Sequence, residues 1–184
     1  MSNYKEGRTH QLLNALEADI RVWTVTTTAA AGKKTKDCFT NKLRYAYRDP
    51  NLDAWLLQNQ PAEPESKFLV RKLDQSATFK QVVESFLSET GDVKTLSQSL
   101  KMLGVVTTLC RIESLVERQE AGEDVGLRTD GGFFFVEDKD GGVSVVRAYR
   151  LDRQWNVDIY RLGYDSVWCD EFRFFFRNQD TVSL

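Results

Sequence analysis

The last quarter of the chain, Gly131 to Asn178, constrains the fold most. It reads GGFFFVEDKDGGVSVVRAYRLDRQWNVDIYRLGYDSVWCDEFRFFFRN. Four apolar or aromatic runs rich in strand formers are separated by Asp-Gly, Asp-Arg-Gln and Gly-Tyr-Asp-Ser. The pattern predicts an antiparallel meander of about four strands, its inner face covered by the helices that precede it. Alternation assigns the sides. Trp155, Val157 and Ile159 share one, with Asn156, Asp158 and Tyr160 opposite. In the last run Trp168, Phe172, Phe174 and Phe176 share a side, and Glu171, Arg173, Phe175 and Arg177 share the other. The phenylalanine side is the expected core, each ring contributing ~1.5–3 kcal/mol on burial. A closing hairpin would set Asp158 beside Arg173 on an outer, solvated side.

The first 130 residues read as mainly helical. Leu12, Leu13, Leu16, Ile20 and Trp23 recur at helical spacing, so a first helix begins near Arg8 and stops by Gly32. Ala31-Gly-Lys-Lys-Thr35 lacks the first glycine of a phosphate loop and has Lys34 where a hydroxyl should follow Lys33, so it reads as a helix end rich in cations. Phe39, Leu43 and Tyr47 form the stripe of a second helix from about Lys36 to Tyr47, ended by Asp49-Pro50. Asn51 or Asp53 caps a short third helix. Gln58 to Ser66, with Pro61 and Pro64, is the best linker, dividing a helical segment 1–60 from 61–184 if the chain is more than one domain. Phe68 to Leu73 is a short strand or the lead-in to a helix. Thr78-Phe-Lys-Gln81 is a capping box opening the clearest amphipathic helix, with Phe79, Val82, Val83, Phe86 and Leu87 on one face. Asp92 starts the next helix, with Val93, Leu96, Leu100 and Leu103 inward; Ile112, Leu115 and Val116 favour another. The fold class is therefore α+β, an N-terminal helical half packed on one face of a C-terminal antiparallel meander.

Composition narrows the function. With 41% apolar residues the chain can build a core, and 25 Lys and Arg against 27 Asp and Glu argue against wholesale capture of nucleic acid or anionic membrane. No run reaches the ~18 apolar residues of a membrane span, and residues 1–16 lack the pattern of a signal peptide, so a cytoplasmic protein is expected. Cys38, Cys110 and Cys169 are far apart and His10 is the only histidine. That set predicts no structural metal site and no cofactor, and three buried thiols. Serine or cysteine nucleophile chemistry lacks a placed base, and no G-x-S-x-G is present.

Three constellations remain. Arg147, Tyr149, Arg161, Arg173 and Arg177, with Arg150 and Arg153, put basic and aromatic residues through the meander, a composition suited to an interface. They motivate the favoured reading, a non-catalytic cytosolic adaptor, regulator or inhibitor that binds a protein partner. Lys94, Thr95, Gln98 and Lys101 lie on the outer side of the 92–103 helix, where a helix-turn-helix regulator would present them to nucleic acid. Glu137 and Lys139, with Asp124 or Asp130, have the acid-x-lysine spacing of a metal-dependent nuclease, but within turn chemistry. A last strand at a sheet edge would also invite a second copy of the chain to cover it.

Overall fold

The computed structural model describes residues 22–127, 131–169 and 171–178. Among them are nine strands: β1 (Val22–Thr27), β2 (Lys33–Lys34), β3 (Tyr45–Arg48), β4 (Asn59–Gln60), β5 (Ser66–Lys72), β6 (Gly132–Glu137), β7 (Val143–Leu151), β8 (Gln154–Arg161) and β9 (Arg173–Asn178). The helices are α1 (Asn51–Trp55), α2 (Phe79–Leu87), α3 (Val93–Met102) and α4 (Leu109–Glu120), with a 3-10 turn at Thr35–Asp37. Seven strands form one sheet in the order β1-β5-β9-β6-β7-β8-β3, and β2 pairs β4 separately. The β6–β9 and β3–β8 pairs are parallel and the rest antiparallel.

This corrects the expected fold class. The molecule is a mixed α/β structure with a large, partly parallel sheet, and the N-terminal half supplies strands to it. β6, β7 and β8 do run as consecutive antiparallel neighbours, but β9 leaves them and inserts between β5 and β6. Residues 162–172 intervene between β8 and β9, too long a stretch for a tight hairpin. Arg173 therefore faces Lys72 and Gly132, while Asp158 lies opposite Arg147. The sequence FRFFFRN explains the placement, because Phe175 needs burial as much as Phe174 and Phe176. A strand apolar on both sides belongs in the middle of a sheet covered on both faces. The edges are β1 and β3, so the last strand is not the margin expected of it.

Each face has its own core. On one, Phe134, Val136, Val146, Ala148, Val157 and Phe175 meet Leu109, Ile112, Leu115 and Val116 of α4, together with Cys38, Phe39, Tyr45 and Leu52. On the other, Phe133, Phe135, Val145, Phe174 and Phe176 meet the apolar stripe of α2 and Leu96 and Leu100 of α3. Phe86 stacks on Phe176 at 3.9 Å between centroids. The six phenylalanines of β6 and β9 are all fully buried. Together they contribute on the order of 9–18 kcal/mol before the entropy of ordering is subtracted.

Local chemistry accounts for the elements. The capping box forms as read: Thr78 Oγ1 accepts from the Gln81 N–H at 3.3 Å, and Gln81 Oε1 accepts from the Thr78 N–H at 2.8 Å. The helix expected from Lys36 to Tyr47 is replaced by the 3-10 turn and β3. Phe39 sits in the left-handed region at φ 59°, and the buried pair is Phe39 with Tyr45, edge to face at 5.3 Å; Leu43 is 91% exposed. The helix expected from Arg8 lies outside the described residues up to residue 21. Its supposed end is β1, where Val25 and Thr27 are buried and Thr24 and Thr26 exposed, the period of a strand. Lys33 and Lys34 likewise form β2, not a helix end. Gly32 stands at a close approach, since a Cβ there would lie 2.7 Å from Gln60 O and Ala62 N.

Candidate functional site

The α2–α3 hairpin covers its sheet face from β5 to the start of β7, where Val143 and Val145 close the apolar core. The same alternation then turns polar. Arg147 and Tyr149 follow on β7, with Asp158 and Asn156 directly opposite them on β8, and Tyr47 of β3 opposite Asn156. This patch continues a hydrophobic core yet is only half covered.

Aromatic rings hold Arg147. Its guanidinium carbon lies 4.2 Å from the ring centroid of Tyr149, 5.0 Å from Phe172, 5.6 Å from Trp168 and 5.7 Å from Phe133. Each such contact is worth about 0.5–2 kcal/mol depending on desolvation. Trp168 is fixed by a backbone bridge to Ala77, with N–H to O distances of 3.0 and 2.9 Å, and stacks on Phe79 at 5.2 Å. Tyr160 leans on Trp168 and on Tyr164, which is exposed at the rim with Tyr47.

The electrostatics are those of a partly dry surface. Burial pushes the Asp158 carboxyl above the ordinary aspartate range, and hydrogen bonds from Tyr160 and Tyr149 pull the other way. The Tyr160 hydroxyl donates to Asp158 Oδ2 at 3.2 Å. It is itself pushed up to about 12 by burial and by the Asp158 charge, so it stays a donor at neutral pH. Two donors are left over. Asn156 is only 7% exposed, and its Nδ2 has no hydrogen-bond partner among the described residues; neither has Trp168 Nε1. A buried amide without a partner costs about 1–3 kcal/mol.

Of the five arginines and tyrosines assigned to an interface from sequence, Arg147 and Tyr149 come together here. Arg161 belongs to the other alternation of β8, over the Trp55 ring at 4.1 Å, with Nη1 donating to Asp138 Oδ2 at 3.3 Å. Arg173 is buried and donates to Gly126 O at 2.6 Å. Arg177 Nε lies 3.0 Å from Glu63 Oε1. The side of β9 expected to be wet is thus interior. Sequence reasoning placed Asn156, Asp158 and Tyr160 on one side but gave them no role; the alternation itself was the signal. Tyr47 and Trp168 carried none, since a parallel pairing and a long loop bring them in.

The other constellations are dispersed. Lys94, Thr95 and Gln98 are exposed on α3, while Lys101 bonds Glu137 Oε1 at 3.1 Å and Gly141 O at 2.6 Å. Lys139 is exposed in the turn after β6, and Asp138 caps that turn by accepting from the N–H groups of Asp140 and Gly142. His10 and Asp130 lie outside the described residues. No group of three His, Cys, Asp or Glu side chains that could hold a metal occurs among the described residues. Cys38 and Cys110 are buried, but Cys169 is exposed, against the expectation of three buried thiols. No helix among the described residues is long and apolar enough to cross a membrane. The chain matches no protein-family model, no curated protein and no solved structure.

Proposed function

We propose that this is a non-catalytic binding protein that recognises a protein partner through the half-covered patch of Tyr47, Arg147, Tyr149, Asn156, Asp158 and Tyr160. The observation that carries the reading is a sheet face left half covered, where exposed Tyr47 and part-exposed Tyr149 and Tyr160 surround an aromatic-held arginine. Arginine and tyrosine are the residues on which interface energy concentrates, and tyrosine is ordered at low entropic cost. Asp158 is engaged by Tyr160 and Tyr149, so its carboxylate is already supplied with donors from within the patch. A protein partner would pack against the tyrosine rings and meet their hydroxyls with main-chain groups of its own.

The test is capture from native extract with the tagged full chain as bait, followed by chemical cross-linking. Wild type recovers a stoichiometric protein cross-linked within β7, β8 or β3. Tyr47→Ala with Tyr149→Ala loses it, and Arg161→Glu, on the far face, retains it. Equal recovery by both variants, or cross-links confined elsewhere, refutes the assignment. A second reading, nucleic-acid binding through α3, draws on the exposure of Lys94, Thr95 and Gln98. It requires retention on DNA resin that is lost at moderate salt and with Lys94→Glu.

A further inference from the structure

The half-covered patch extends beyond its polar centre in both directions along β8. Among the described residues seven large apolar side chains are exposed, and four of them, Leu43, Tyr47, Leu151 and Tyr164, stand along this one strip. Scattered singly, such side chains need no explanation; gathered on one face they mark a surface that meets another. Leu151 continues the alternation of Arg147 and Tyr149 to the end of β7, opposite Gln154 on β8. The Gln154 amide donates to the carbonyls of Lys42 and Leu43 at 3.1 and 3.2 Å, which holds the turn bearing Leu43 beside that end. At the other end Tyr164 carries the strip past Tyr160, the two ring centroids 5.4 Å apart. A Cβ on Gly163 would lie 3.1 Å from Val93 Cγ2, so the start of α3, with a fifth exposed apolar side chain, borders the Tyr164 end.

Charge is distributed unequally along the strip. Exposed Lys42, Arg150 and Arg153 gather about the Leu151 end, with one carboxylate, Asp152, among them. Exposed Asp92 and Asp165 flank the Tyr164 end, with one ammonium, Lys94, beside them. The eight residues of β8 set the two ends about 25 Å apart. That length suffices for one side of a standard interface, ~800 Å² per partner. A strip positive at one end and negative at the other is complementary to itself turned end for end. Two copies related by a twofold axis through its middle bring each end against its opposite.

We propose that the occupant of this strip is a second copy of the chain, the twofold axis passing near Arg147 and Asp158. Arg153 of each copy then faces Asp165 of the other, and Tyr47, Tyr149 and Leu151 lie between them. The inference rests on the reading of the patch as a protein-binding surface and names the partner.

The test is sedimentation equilibrium of the full chain over a series of concentrations, at low and at moderate salt. The expected result is a monomer–dimer equilibrium whose dimer weakens as salt rises. Leu151→Glu alters a side chain already 58% exposed, so the fold is kept. It raises the dissociation constant about a hundredfold, because the symmetry buries the added carboxylate twice. Arg153→Glu and Asp165→Lys each raise it about fivefold, and the two reversals in one chain return it towards wild type. Arg161→Glu, on the far face, leaves it unchanged. A chain that is monomeric at every concentration overturns the proposal. If that monomer still captures a different protein cross-linked within β7, β8 or β3, the patch keeps its binding role without self-association; if it captures nothing, both readings fall. A dimer indifferent to Leu151→Glu, or charge reversals that weaken additively without rescue, also overturns the proposal.

Discussion

Glu63→Ala is expected to take the protein close to unfolding. The carboxylate is 3% exposed, in the proline-bearing stretch between β4 and β5. Its Oε2 accepts from Thr107 Oγ1 at 2.9 Å, the Thr108 N–H at 3.0 Å and Thr108 Oγ1 at 3.1 Å. Its Oε1 lies 3.0 Å from Arg177 Nε and 3.5 Å from Arg111 Nε, close enough for charge pairing although neither angle makes a hydrogen bond. Arg111 has no exposed surface, and its remaining nitrogens donate to the carbonyls of Thr28, Glu63 and Pro64. Deleting the carboxylate strands a cation that cannot reach water, at a cost of about 3–5 kcal/mol. The orphaned Thr108 N–H adds about 1–3 kcal/mol, the two not strictly additive. Domains have only about 5–15 kcal/mol in all. Urea unfolding followed by tryptophan fluorescence measures the loss by linear extrapolation. Glu63→Gln, which keeps an acceptor for the threonines but removes the charge, should fall between alanine and wild type. A loss below about 1 kcal/mol for Glu63→Ala, the size of a surface ion pair, would refute the reasoning and make residues 58–66 the slack linker their prolines suggest.

Other perturbations test the remaining parts. Asp158 has a folded value raised by burial, so the native state holds its proton more tightly than the unfolded chain does. Stability therefore falls as pH climbs from the usual carboxylate range through that raised value, and the cost persists at neutral pH. Asp158→Asn should melt higher than wild type at pH 7, with the gap closing in acid; a lower melting point at pH 7 contradicts the sign. A Cβ at Gly132 would come within 2.4 Å of Phe175 Cε2 and 2.9 Å of Leu127 Cδ2, so Gly132→Ala should cost about 1–3 kcal/mol by overpacking, read from the same urea curves. Thr78→Ala removes one half of the capping box and should cost about 0.5–2 kcal/mol with no change in the binding patch.

What could be read from the chain was local. The capping box at Thr78, the stripe of α2, the three consecutive strands and the sides of Trp155, Val157 and Ile159 all follow from spacing within ten residues. What escaped was adjacency between distant segments. Alternation says that Phe174 and Phe176 share a side; it does not say that β9 lies beside β6 in parallel, because nothing local distinguishes that neighbour from β8. Arg173 and Arg177 read as solvated because charge is ordinarily exposed. Their partners, a carbonyl at Gly126 and the carboxylate of Glu63, sit in stretches whose composition signals loop. The binding patch was half legible for the same reason: Arg147 and Tyr149 were in view, and their ring partners from the 162–172 loop were not.

The central position of β9 has a consequence for synthesis. The ribosome delivers β5 and β6 long before the strand that must join them. Until residue 178 emerges, the nascent chain holds two half-sheets with raw margins, each offering unmatched amides and rows of phenylalanine or valine to any neighbour. A stop codon a few positions before Phe174 would not trim the protein; it would release one chain whose two half-sheets lack the strand that joins them.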